Sequence, residues 1–198
     1  MSDDELDLSP RISVAPASTS YFSTPEDHLD PSLFAGMDMR GSVRSELVGL
    51  FSRHMGGYFH SSVKWSKLWL AGSGASYQWA ASRDPGDLDM LIGVDYPVFR
   101  QFNPAFTQLS NGEISNYITD KLRTELTPYT ANWSPPDSDG PRYEVTWYSN
   151  PDSQDIRDIN PYAAYELTKG VWDVPPDPSP RAVASPEADR DKLRARSI

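Results

Sequence analysis

Residues 68–94 most constrain what this chain can fold into. Two apolar runs, Leu68 to Ala71 and Leu88 to Val94, are separated by Gly72-Ser73-Gly74, and the second opens with Asp87-Leu88-Asp89. Apolar runs this short, bounded by turn signals, are strands rather than helices. Residues two apart on a strand share a face, so Asp87 and Asp89 point together while Leu88 and Met90 face the core. Two carboxylates so close repel, and divalent cations would neutralise them; hard oxygen ligands select Mg²⁺ or Mn²⁺. Gly72 allows close backbone approach to a phosphate, and Ser73 brings a hydroxyl and an N–H to the same turn.

Around this unit the patterning alternates between helix and strand. Val43, Leu47, Leu50, Phe51 and Met55 follow helical spacing up to Gly56-Gly57. A short helix is expected after Gly72-Ser73, reaching Ala81. Ser110 with Glu113 has capping-box spacing and opens a helix that runs to Pro128. Arg142 to Tyr148 alternates as a strand, and Asn160-Pro161 followed by Gly170 predicts a helix over 162–169. These elements give an α/β core over residues 35–172. Residues 1–34 form an acidic tail expected to be disordered, and 173–198 a Pro-rich, charged one.

The strand Tyr143-Glu-Val-Thr-Trp147 puts Tyr143, Val145 and Trp147 on one face and Glu144 on the other, so Glu144 is the candidate third carboxylate. Asp95, Asp155 and Asp158 are its rivals. Gly72-Ser73, a gap of thirteen residues, Asp87-Leu88-Asp89-Met90 and a later strand acid resemble the signature of the DNA polymerase beta-like nucleotidyltransferase superfamily. The chain departs from that pattern at Gly86, often Ser in relatives, at Tyr77-Gln78, often Arg or Thr, and at Glu144, usually Asp.

The resemblance implies a small mixed β-sheet flanked by helices, and transfer of a nucleoside monophosphate from an NTP to an acceptor with release of pyrophosphate. It makes Asp87, Asp89 and Glu144 the catalytic and metal-binding residues. It assigns Gly72, Ser73, Ser76 and Arg83 to the nucleotide, ATP included, and Mg²⁺ or Mn²⁺ as the cofactor. The acceptor, an RNA end, a protein or a small molecule, stays open. The alternative is a catalytically inactive module of the same kind that binds nucleotide or protein.

Composition excludes other classes. The net charge of −10 argues against a protein whose main work is gripping nucleic-acid phosphates, although a nucleic acid remains a possible acceptor. Residues 1–31 carry seven acids and one base, so much of that charge sits in the tail. The absence of cysteine removes disulfides and thiolate chemistry and fits a cytoplasmic protein; no apolar run reaches the roughly 20 residues a bilayer needs. His28, His54 and His60 make no metal set, and no His is placed to activate Ser73, Ser76 or Ser82.

Overall fold

A computed structural model of the chain describes residues 26–79, 86–136, 138–150, 155–161 and 163–178. It is an α+β fold. The main sheet has the strand order β5-β4-β3-β6-β7, with β3 at Ser66–Ala71, β4 at Gly86–Val94, β5 at Tyr143–Asn150, β6 at Ala164–Glu166 and β7 at Val171–Val174. A two-stranded ribbon, β1 (Phe34–Ala35) with β2 (Asp38–Met39), precedes it. Only β4 and β5 run parallel; the other neighbours in the large sheet are antiparallel. The short helix α2 (Ser62–Trp65) leads into β3; a parallel pair needs a crossover, and α3 (Tyr96–Phe102) and α4 (Asn111–Lys121) supply it.

Alternation along the strands divides the sheet into two unlike faces. Leu68 and Leu70 of β3, Leu88, Met90 and Ile92 of β4, and Tyr143, Val145 and Trp147 of β5 share one core with α1 (Gly41–Met55), α3 and α4. Val43, Leu47, Leu50, Phe51 and Met55 are the face α1 contributes, all buried, as their spacing requires. The opposite face carries a smaller cluster of Trp69, Ala71, Leu91, Ile156 and Ala164. Its cover is a 3₁₀ turn, Ile156–Ile159. Asp87 and Asp89 therefore lie on the face that the helices leave uncovered.

Helix α4 starts as its cap predicts: the Glu113 N–H donates to Ser110 Oγ at 3.3 Å, and the Ser110 N–H donates to Glu113 Oε2 at 2.8 Å. It widens into a π-turn over Leu122–Leu126 before a last turn at Thr127–Tyr129. In a regular helix the ring of Pro128 would meet the carbonyl of Thr124, and the wider turn removes that conflict while Leu122 and Leu126 stay buried.

Several expectations are corrected. The helix over 162–169 is absent: Ala164–Glu166 is a strand on β3, and Gly170, at φ +72°, turns the chain into β7. Asn160 ends the preceding 3₁₀ turn in the left-handed region instead of capping a helix. The helix after Gly72 is a single 3₁₀ turn, Gly72–Ala75, and Ala81 lies outside the described residues. The folded body also starts before residue 35 and passes residue 172. Leu29, Leu33 and Phe34 are buried in the main core, and β7 extends to Val174. Among the described residues no helix is long and apolar enough to cross a membrane.

Candidate functional site

The site is built at the edge where β3 ends and β4 and β5 begin. Ala71 pairs with Asp89 across β3 and β4, and Asp87 pairs with Glu144 across β4 and β5. Paired residues on adjacent strands project to the same side, so Asp87, Asp89, Glu144 and Thr146 form a two-by-two patch on the helix-free face. Asp87 and Asp89 are half-buried and Glu144 is exposed. Thr146 Oγ1 donates toward Asp89 Oδ1 at 3.3 Å and steadies that carboxylate.

Gly72 follows directly, at φ +72°, a conformation that favours glycine. A Cβ added there would stand 2.9 Å from Asp89 Oδ2, so the missing side chain is what lets this carboxylate lie over the turn. The Gly72 N–H donates to the Ala163 carbonyl at 3.3 Å. Gly74, which sequence reasoning did not single out, is as constrained: its Cβ would meet Leu88 Cδ2 at 2.7 Å and the Asp87 carbonyl oxygen at 3.2 Å. The turn is thereby pressed onto the strand that carries the acids. The Gly-x-Gly spacing was the available signal.

The remaining candidates separate. Ser73 is half-buried in the turn, and its carbonyl accepts both the N–H and the hydroxyl of Ser76 at 3.0 Å. Ser76 is buried, and its hydroxyl also accepts the Gln78 N–H at 3.1 Å, so it closes the turn. Arg83 lies outside the described residues. Asp95 caps α3 by accepting the Val98 N–H at 3.1 Å. Asp155 caps the 3₁₀ turn by accepting the Arg157 N–H, which holds its carboxyl below the usual range. Asp158 is exposed in the same 3₁₀ turn, so none of the three rivals to Glu144 is on the strand residues that pair around Asp87 and Asp89.

Glu166 is a buried carboxylate on the same sheet face, facing Trp69 in register. Its oxygens accept the Thr168 N–H at 3.0 Å, the Thr168 hydroxyl, and the Lys169 N–H at 2.7 Å. It locks the β6–β7 turn. Glu26, Asp27 and His28 bring three potential ligand atoms within 4.8 Å of one another, on a partly exposed stretch where Asp27 Oδ1 already sits 2.6 Å from His28 Nδ1.

The donor set at the strand ends fits a hard divalent cation: three carboxylates on one face, one of them admitted over the turn by a glycine. No family model matches the chain, and no curated protein or solved structure matches it.

Proposed function

We propose that the chain is a metal-dependent nucleotidyltransferase that moves a nucleoside monophosphate from an NTP to an acceptor. The observation that supports this most is the register: Asp87 beside Glu144 and Asp89 beside Ala71 put three carboxylates and the Gly72 turn at one end of one sheet face. In this reading Asp87 and Asp89 hold Mg²⁺ or Mn²⁺, with Glu144 as the third ligand. Bound there, the metal would neutralise triphosphate charge and polarise the reacting phosphoryl group.

The chain's own residues do the rest by position. Gly72 keeps the turn open over Asp89, and in this reading the Ser73 hydroxyl and the turn's backbone would bind a phosphate. The acceptor oxygen attacks the α-phosphorus as the bond to the bridging oxygen breaks. Pyrophosphate leaves, and the acceptor's proton passes to Glu144 or to water.

The test incubates the protein with each labelled NTP and Mg²⁺ or Mn²⁺, with cell RNA, extract protein or no added acceptor, and measures pyrophosphate. Turnover that disappears in a D87A/D89A variant supports the proposal. Turnover no greater than that variant's under every condition sinks it, and calorimetry with NTP and metal then asks whether the chain only binds.

A further inference from the structure

The stretch that composition assigns to an acidic tail makes contacts that a tail would not. From Glu26 to Phe34 the chain lies across both halves of the site. Towards the glycine turn, the Glu26 N–H donates to the Tyr77 carbonyl at 2.8 Å. The Trp79 indole N–H donates to the His28 carbonyl at 2.8 Å, and the two rings meet edge-on at 5.5 Å. Leu29 and Leu33 anchor the segment in the core.

At the other half, Asp30 is 3% exposed and accepts the Tyr143 hydroxyl on Oδ2 at 2.6 Å. Its Oδ1 accepts the Ser32 N–H at 2.8 Å. Two donors thus take one oxygen each; an amide there has a single acceptor and could keep both contacts only by turning its NH2 to a Tyr143 hydroxyl that accepts instead of donating. Tyr143 immediately precedes Glu144 and stands in register with Gly86, which immediately precedes Asp87. A Cβ on Gly86 would come within 3.2 Å of the Tyr143 ring, so the ring is seated on the start of β4.

We propose that Glu26–Phe34 is a strap that fixes the glycine turn relative to the acid-bearing strand ends, and that Asp30 is a positioning residue acting through Tyr143. The inference rests on the site proposed above for its functional consequence, and on the contacts alone for the bridging. Asp30 bonds Tyr143, whose side chain is on the core face of the sheet, opposite the face that carries Asp87, Asp89 and Glu144. Its effect is to hold the first residues of β4 and β5 at one height, so that Asp87 and Glu144 stay abreast.

The experiment uses the full chain and Mn²⁺ alone as probe, reading affinity by calorimetry and local opening by amide hydrogen exchange. Wild type, D30N, Y143F, D87A/D89A and a stability control away from the strap, S110A at the α4 cap, are compared. Loss of a group that orients a ligand typically weakens a metal site 10- to 100-fold, so D30N and Y143F should each lose at least about 10-fold in Mn²⁺ affinity. S110A, destabilised by loss of the bonds Ser110 makes with Glu113 at the α4 cap, should stay within about twofold of wild type. Exchange in D30N should rise at residues 77–79, 86–89 and 144–146 together. Wild-type affinity in D30N and Y143F, with binding lost in D87A/D89A, overturns the positioning role. If wild type shows no binding that depends on Asp87 and Asp89, the proposed function fails, and exchange decides the strap by itself. A joint rise at both halves in D30N supports the bridge, and a rise confined to residues 26–34 overturns it.

Discussion

Replacing Gly72 by alanine tests the packing of the site without any assumption about activity. Two costs are expected. At φ +72° an L-residue sits in the left-handed well, at about 1–2 kcal/mol. The new methyl would also stand 2.9 Å from Asp89 Oδ2, inside the 3.4 Å at which ordinary contact begins. Asp89 cannot swing away at no cost, because Oδ1 is already against Thr146 Oγ1 at 3.3 Å. Overlap of this kind costs about 1–3 kcal/mol, so G72A should lose about 2–5 kcal/mol in all. Gly36 provides the control: it has φ +64° and nothing within 4 Å of an added Cβ, so G36A should show the backbone cost alone. In a D89A background the carboxylate is gone and the nearest remaining Asp89 atom is its Cβ, 3.9 Å away. There the G72A penalty should fall to that of G36A. Equilibrium urea unfolding of the four members of the G72A/D89A cycle, and of G36A, measures this, provided the m-values match. If G72A and D89A are additive within about 0.5 kcal/mol, the contact between Gly72 and Asp89 does not hold the turn.

Three further outcomes are expected. Saturating Mg²⁺ should raise the wild-type melting temperature, by about 2.7 kcal/mol of stability at one hundred times Kd, and leave D87N and D89N unmoved; an unmoved wild type would show that the pair is not a cation site. Ser110→Ala should cost about 1 kcal/mol in urea unfolding through loss of the α4 cap. The Ser110 hydroxyl, then its N–H, holds the Glu113 carboxyl below the usual range. That contribution is present above the unfolded value near about pH 4.3 and is lost as pH falls through the lower folded value. Melts between about pH 5 and pH 3 should therefore be flatter in E113Q. Glu166→Ala should cost about 2–4 kcal/mol, because it strips the Thr168 and Lys169 donors of their acceptor, and amide exchange should show the loss at the β6–β7 hairpin.

What was legible in the fold is what local periodicity decides. The apolar positions from Val43 to Met55, the Ser110–Glu113 cap and the alternation of β4 and β5 each state an element and its buried face with no distant partner. Residues 160–174 went the other way because their punctuation is ambiguous. An Asn-Pro start and a Gly ten residues later suit a helix, but they suit a turn and a hairpin equally. Ala164, Tyr165 and Glu166 become strand because β3 presents an open edge at Ala71, Leu70 and Trp69. Helix α3 escaped notice since it buries only Tyr96 and Phe99, too few for a period, and because Asp95 was weighed as a metal ligand when it is a cap.

The site was legible by face and not by register. Alternation puts Glu144 opposite Tyr143 and Val145, and Asp87 opposite Leu88, whatever the pairing of β4 with β5. A slip of two residues would preserve both faces and move Glu144 from Asp87 to Asp89, leaving every periodic signal intact. What selects the observed pairing is set at the strand ends. The Tyr143 ring fits against Gly86, Trp133 and Thr130 bond the outer edge of β5, and Asp30 receives the Tyr143 hydroxyl from 113 residues away. Asp30 lies in a run rich in acids and prolines, and composition averages over such a run. A carboxylate that is to be buried against a phenol looks the same in sequence as one left in water. The geometry of the acid patch therefore depends on a residue whose own neighbours in sequence assign it to the solvent.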